Sequence, residues 1–145
     1  MIIRRWLIGL QSPPPLLPKH DEIVNMILEI GGMEGKISEK QYQIDHWLLD
    51  AIWKRIKTGF PEFAFEVQIG GNFYEALTKL KHAFDKWNCI PILVTTEKFE
   101  EEARQLIEGS FHEMGRKAKI INWKKIKNFH RLEKGIKGLK NEIGL

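Results

Sequence analysis

The first half of the chain alternates between helical and strand-like patterns of apolar residues. Apolar residues recur at helical spacing up to the pair Gly31-Gly32, which predicts a helix over 21–31 that these glycines end. Residues 36–44 and 46–56 are rich in β-branched and aromatic side chains, and the run 63–69 (FAFEVQI) alternates strictly. The pattern predicts one helix followed by three adjacent strands.

The second half predicts a helix and a strand, then a helix, a strand and a last helix. The amphipathic helix after the third strand begins at Asn72, whose pairing with Glu75 is typical of a capping box, so Glu75 is assigned to the cap and not to catalysis. The following predicted elements are a strand over 89–95, a helix over 97–108 ended by Gly109, a strand over 119–123 and a terminal amphipathic helix. The predicted order is αβββαβαβα.

Length and composition favour one globular domain. With 145 residues and 43% hydrophobic content, we expect a single domain over 20–145 preceded by an arm and Pro-rich connector over 1–19. The lone Cys89 excludes an intramolecular disulfide and favours a reducing, cytoplasmic setting. No segment approaches transmembrane length, so no membrane partner is expected. Abundant Lys, Glu and Ile suggest a heat-adapted source.

The positive charge is concentrated at the C-terminus. The chain has a formal net charge of +4, and residues 122–145 contribute seven basic side chains against two acidic ones. A solvated helix face is the simpler explanation of this composition, and a contact surface for nucleic-acid phosphates is the functional alternative.

Two carboxylates stand out on neighbouring predicted strands. In the third strand, Glu66 and Gln68 point away from the aromatic face, an arrangement that an ordinary half-solvated strand also shows. In the preceding strand, Asp50 interrupts an apolar run (LLDAIW), where an unpartnered charge is costly. A turn between the strands returns the chain antiparallel and is expected to bring Asp50 beside Glu66, where a divalent cation would relieve their repulsion. The two tryptophans Trp47 and Trp53 are expected on one face of the second strand, in the core.

The chain resembles the PD-(D/E)XK nuclease superfamily. Asp50 followed by Glu66-Val67-Gln68, between a leading helix and a following helix and strand, is similar to the D…(D/E)-X-K signature and the αβββαβ core of these enzymes over residues 20–95. The stretch FEVQIGGNFYEALTKLKHAFDKW looks like small prokaryotic members. The resemblance implies an α/β fold with a mixed sheet in a three-layer α/β/α sandwich, extended here by a C-terminal strand and a basic helix.

The resemblance also implies an activity: metal-dependent hydrolysis of phosphodiester bonds in nucleic acid, with DNA the favoured substrate. Asp50 and Glu66 would hold Mg²⁺ or Mn²⁺. The family's lysine is replaced by Gln68, an uncharged amide, and Lys79 from the next helix is expected to supply the missing charge. The resemblance implies that Gln68 and Lys79 together orient the attacking water, so both are predicted catalytic residues. Duplex-cutting members often dimerise, so the resemblance allows a homodimer.

Several alternatives remain open at this stage. Asp45 rivals Asp50 as the metal ligand, and Glu22 or Glu29 from the first helix would complete the metal shell. Five histidines show no metal-ligand spacing. Phosphate contacts are expected from Lys54, Arg55, Lys57, Lys81, Lys124 and Lys125. The alternative function is a catalytically inactive module of the same fold that binds nucleic acid or a protein partner.

Overall fold

A computed structural model describes residues 17–145 as an α/β fold with four helices around a five-stranded mixed sheet. The first sixteen residues, which include most of the predicted arm, lie outside the described range. The elements are α1 (His20–Met33), β1 (Ile37–Ile44), β2 (Trp47–Lys54), β3 (Pro61–Val67), α2 (Phe73–Trp87), β4 (Ile90–Thr95), α3 (Glu97–Ser110), a 3-10 turn (His112–Met114), β5 (Lys119–Asn122) and α4 (Trp123–Glu142). Their order confirms the predicted αβββαβαβα.

The strands lie in the sheet in chain order. β1, β2 and β3 form an antiparallel meander, whereas β4 joins β3 and β5 joins β4 in parallel. Each parallel step requires a crossover, and α2 and α3 supply the two crossovers. The sheet is therefore antiparallel on one side and parallel on the other.

Both faces of the sheet are covered by helices. One apolar cluster joins the sheet to α2 and α3 through residues such as Leu77, Leu80 and Ala103, and the other joins it to α1 and α4 through residues such as Ile23 and Ile126. In β3 the predicted alternation holds, because Ala64 belongs to the first cluster and Phe65 to the second. The result is a three-layer arrangement with two cores.

Two predicted helix ends are wrong. α1 continues through Gly31 and Gly32 to Met33, and the left-handed residue that follows it is Gly35, with φ of 75°. Gly31 serves close packing instead, since a Cβ there would lie 2.4 Å from Trp53 Nε1. Likewise α3 runs past Gly109 to Ser110. Within residues 17–145, no helix has the length and apolar character needed to cross a membrane.

Candidate active site

An irregularity in the β1–β2 ladder sets the position of Asp50. The ladder pairs Lys40 with Ala51 and Tyr42 with Leu49, but Gln41 and Asp50, which lie between them, are not paired. Gln41 has a left-handed backbone, with φ of 47°. Leu49 packs in the core under α2 and α3, whereas Ala51 packs in the core under α1 and α4. The alternation of side chains therefore changes face at Asp50, as it does at a β-bulge.

This change of face corrects the prediction for the two tryptophans. Trp47 packs against the core under α2 and α3, and Trp53 packs against the opposite core, where its indole N–H donates to Ile27 O at 3.0 Å. The two residues lie on opposite sides of the irregularity at Asp50, so their even spacing no longer places them on one face.

Asp50 and Glu66 are held together by reciprocal backbone hydrogen bonds. Asp50 Oδ2 accepts from the Val67 N–H at 2.7 Å, and Glu66 Oε1 accepts from the Asp50 N–H at 3.3 Å. Each side chain thus binds the backbone of the neighbouring strand next to Ala51 and Phe65, where the pairing of β2 with β3 ends. The structure brings together the two carboxylates singled out in the sequence.

Glu66 is buried, not half-solvated as an ordinary strand face would make it. Its exposed fraction is 3%, compared with 18% for the Asp50 side chain. Burial, and secondarily the negative charge of Asp50, raises the pKa of Glu66 to about 8, although Lys79 acts in the opposite direction. At neutral pH the carboxyl group of Glu66 is therefore mostly protonated.

Lys79 reaches the carboxylates from α2. Its Nζ lies 3.5 Å from Glu66 Oε1 and donates to Leu48 O at 3.1 Å. The start of α2 is fixed by Asn72, whose Oδ1 accepts from the Glu75 N–H at 3.1 Å, in agreement with the cap predicted there. The capped helix holds Lys79 over the start of β2, with the lysine side chain 18% exposed.

Gln68, two positions after Glu66, forms its hydrogen bonds with neighbouring backbone groups. Its side-chain amide donates to Gly70 O, and its backbone N–H donates to Val94 O at 2.9 Å. The positive charge beside Glu66 therefore comes from Lys79 of α2. The side-chain amide of Gln68 instead stabilises the turn between β3 and α2.

His20 is a site residue that the sequence did not reveal. Its Nε2 lies 3.1 Å from Asp50 Oδ2, and its Nδ1 lies 3.2 Å from Asp21 Oδ1. Partial burial lowers the pKa of His20, but the hydrogen bonds and charges of Asp21 and Asp50 outweigh it, so the pKa is raised above its ordinary value. His20 stands thirty positions before Asp50, and only the packing of α1 brings it close.

A small cleft gives access to Asp50 on the α1 side of the sheet. The cleft has a volume of about 190 Å³, and its polar lining consists of His20, Asp21, Asn25, Lys40, Gln41 and Asp50. Lys40 and Gln41 reach it because β1 is irregular opposite Asp50. This cleft contains both acidic and basic groups.

The alternative acids lie elsewhere. Asp45 occupies the β1–β2 turn with φ of 52° and binds His82 at 2.5 Å and Lys86 at 2.9 Å. The hydrogen bond from His82, followed by that from Lys86, lowers the pKa of Asp45. Glu29 binds His130 of α4, and Glu22 is exposed. The structure therefore places Asp50, and not Asp45, beside Glu66.

The donor set at the site contains two carboxylates. Within residues 17–145, no group of three or more His, Cys, Asp and Glu side chains is arranged to hold a metal ion. Mg²⁺ nevertheless commonly uses one or two protein carboxylates and completes its shell with water and substrate phosphate oxygens. Asp50 and Glu66 supply that number of carboxylates. Burial and the charge of Asp50 raise the pKa of Glu66, and a cation bound beside it would favour its charged form.

The predicted phosphate-binding residues differ in their surroundings. Lys54 is buried, with Nζ 2.9 Å from Glu39 and 4.7 Å from the Tyr42 ring centre, so it is not displayed at the hairpin tip as expected. Lys81 forms ion pairs of 2.7 Å with both Asp85 and Glu113. The remaining predicted residues are exposed: Arg55, Lys57, Lys124 and Lys125.

Comparison of the chain with models of protein families, with curated proteins and with solved structures gives no match.

Proposed function

We propose that this chain hydrolyses phosphodiester bonds in nucleic acid, with DNA favoured over RNA, and that it requires a divalent metal ion. The observation that carries the proposal is the reciprocal binding of Asp50 and Glu66, which fixes two carboxylates against each other with Lys79 Nζ 3.5 Å from one of them. Two adjacent carboxyl groups do not form a stabilising ion pair, because each negative charge disfavours ionisation of the other. Such a pair is therefore more typical of a functional site than of a structural contact.

Asp50 and Glu66 would hold Mg²⁺ or Mn²⁺, which when bound acidifies a water molecule and neutralises charge on the phosphate. Lys79 would replace the lysine of the nuclease signature, because its ammonium lies beside Glu66 while Gln68 is bound to the loop. From α2 it would place a positive charge next to the scissile phosphate and orient the attacking water.

The charge state of Glu66 links this activity to pH. A carboxyl group must be deprotonated to bind a metal ion, and the pKa of Glu66 is about 8. Metal affinity and activity are therefore expected to rise with pH through the neutral range and to level off above pH 8.

Cleavage of single-stranded, duplex and branched DNA and RNA in the presence of Mg²⁺ or Mn²⁺ tests the proposal. Asp50→Asn, Glu66→Gln and Lys79→Met should each lower the rate at least tenfold. The matched controls are Glu101→Gln, an exposed acid of α3, and Lys86→Met, two helical turns beyond Lys79, and both should retain the wild-type rate. Full activity of Asp50→Asn and Glu66→Gln would refute the proposal.

One observation favours the alternative, a module that has kept the fold and lost catalysis. Lys79 already offers Glu66 a positive charge, which reduces its need for a metal ion. In that case calorimetry at pH 8.5 would detect no Mg²⁺ or Mn²⁺ binding in the wild type. Binding of nucleic acid would persist and would weaken on replacement of the exposed Lys124 and Lys125 by Gln.

A further inference from the structure

From Phe129 onward, α4 and the Ile143 that caps it carry an apolar stripe that residues 17–145 leave uncovered. One turn earlier, Ile126 is still packed into the core with 9% exposure. The stripe consists of Phe129, Leu132, Ile136, Leu139 and Ile143, which are 42% to 61% exposed. Such a row of large apolar side chains on one helix face is characteristic of an interaction surface and not of scattered surface residues.

Space for a partner lies on both sides of this α4 stripe. A cleft of about 740 Å³ separates the end of α1 from α4, with Met33 on one wall and Ile136 on the other. An apolar groove of about 400 Å³ adjoins Phe129 and is lined by side chains of the sheet that include Trp53 and Phe65. The α4 stripe and the groove thus share one accessible face.

The spacing of the α4 stripe is that of a coiled coil. Its residues are three, four, three and four positions apart, which puts Phe129, Ile136 and Ile143 at heptad position a and Leu132 and Leu139 at position d. Residues at positions a and d form the apolar seam of a coiled coil, in which each side chain packs between side chains of the facing helix. We propose that the α4 stripe binds the α4 stripe of a second copy of this chain, forming a two-stranded coiled coil around a twofold axis.

The charges beside the α4 stripe fit a second copy. Glu133 and Lys140 occupy the flanking e positions, whereas Arg131, Lys134 and Lys137 lie at c, f and b, away from the seam. An antiparallel pair places Glu133 of each copy opposite Lys140 of the other, and it stacks Leu132 on Ile143 and Ile136 on Leu139. Nucleic acid or an anionic membrane would require the lysines to flank the stripe, and most of them do not.

Because the seam is only about two heptads long, the dimer should dissociate on dilution. Sedimentation equilibrium of the full chain should give a mass that rises with concentration from 17.0 kDa toward twice that value. Leu139→Glu should raise the dissociation constant at least tenfold. Asn141→Glu adds the same charge at exposed position f and should leave the constant unchanged.

Charge reversal gives a second test that does not depend on an apolar position. Glu133→Lys and Lys140→Glu should each weaken the dimer, and the double variant should restore it, with circular dichroism confirming that all variants fold. A wild type that stays at 17.0 kDa at all concentrations, or a dimer unaffected by Leu139→Glu, would overturn the inference. So would a dimer that appears only after removal of residues 1–16, since the chain itself would then cover the stripe. None of these measurements involves nuclease activity, so the inference stands or falls separately from the proposed function.

Discussion

Glu66 lowers the stability of the folded protein whenever it is charged. Its pKa in the folded state is about 8, above the value of an unfolded chain, so the folded state binds more protons between about pH 4.5 and 8. The contribution of Glu66 to stability is therefore most favourable below this window and is lost as the pH rises through it. At about 1.4 kcal/mol per pKa unit, we expect a loss of a few kcal/mol for the wild type between pH 5 and 9, measured by urea denaturation.

Replacing Glu66 with Gln should remove this loss, because the amide keeps the shape of the side chain and cannot ionise. Glu66→Gln is expected to be more stable than the wild type at pH 9 and similar to it at pH 5. Glu101→Gln, at an exposed position, should follow the wild-type curve. Parallel curves for Glu66→Gln and the wild type would contradict the assigned pKa.

Thr95, at the end of β4, has a buried hydroxyl group whose cost to stability can be measured. It is fully buried, and its hydroxyl has no hydrogen-bond partner among residues 17–145. A buried unpaired hydroxyl costs about 1–3 kcal/mol, so the isosteric Thr95→Val should raise the free energy of unfolding by about 1 kcal/mol. Thr78→Val, where the hydroxyl donates to Tyr74 O at 2.7 Å, should give no such gain. A destabilised Thr95→Val would show that the hydroxyl has a partner.

The sequence identified some site residues and missed others for physical reasons. Asp50 was detectable because it interrupts an apolar run, and Lys79 because it lies one turn from a cap. His20 was not detectable, because its contact with Asp50 depends on how α1 packs against the sheet. The change of face at Asp50 depends on the left-handed backbone of Gln41, which alternation alone does not reveal.

At the level of elements, adjacent glycines in α1 have opposite roles. A Cβ on Gly31 would lie within 2.4 to 2.9 Å of the Trp53 ring, which its hydrogen bond to Ile27 O holds in place, whereas nothing lies within 4 Å of a Cβ on Gly32. Gly31→Ala should destabilise the protein by about 1–3 kcal/mol through overpacking. Gly32→Ala should stabilise it by about 0.5–1 kcal/mol, because alanine is the better helix former.

Thermal denaturation of the two variants checks this pair, with the wild type as reference. If both alanines stabilise the protein, α1 does not approach Trp53 as closely as the structure has it. If both destabilise it, the helix does not extend past Gly31. The sequence pattern located α1 but could not distinguish a glycine that ends a helix from one that allows close packing.

At the scale of the whole molecule, the sequence predicts the order of the helices and strands. It predicts only part of which sheet residues are buried. Alternation in β3 predicted which residues share a face, but Glu66 became buried because α2 covers the face that a two-layer fold would leave to solvent. The α4 stripe is the opposite case, because apolar residues that could have been buried are exposed. Its amphipathic pattern predicted a helix, but periodicity does not say whether the apolar face packs on the same chain.

Metal binding should act on the stability of the whole protein, because a ligand that binds only the folded state stabilises it in proportion to its affinity. Mg²⁺ or Mn²⁺ competes with the proton on Glu66, so a saturating concentration should raise the melting temperature more at pH 8.5 than at pH 6. The double variant Asp50→Asn with Glu66→Gln removes both carboxylates and should lose this response, whereas Asp45→Asn, in the β1–β2 turn, should retain it. An equal metal response in the double variant would place the ion elsewhere. A wild type with no response at either pH would favour the inactive module, in which Lys79 takes the place of the metal ion.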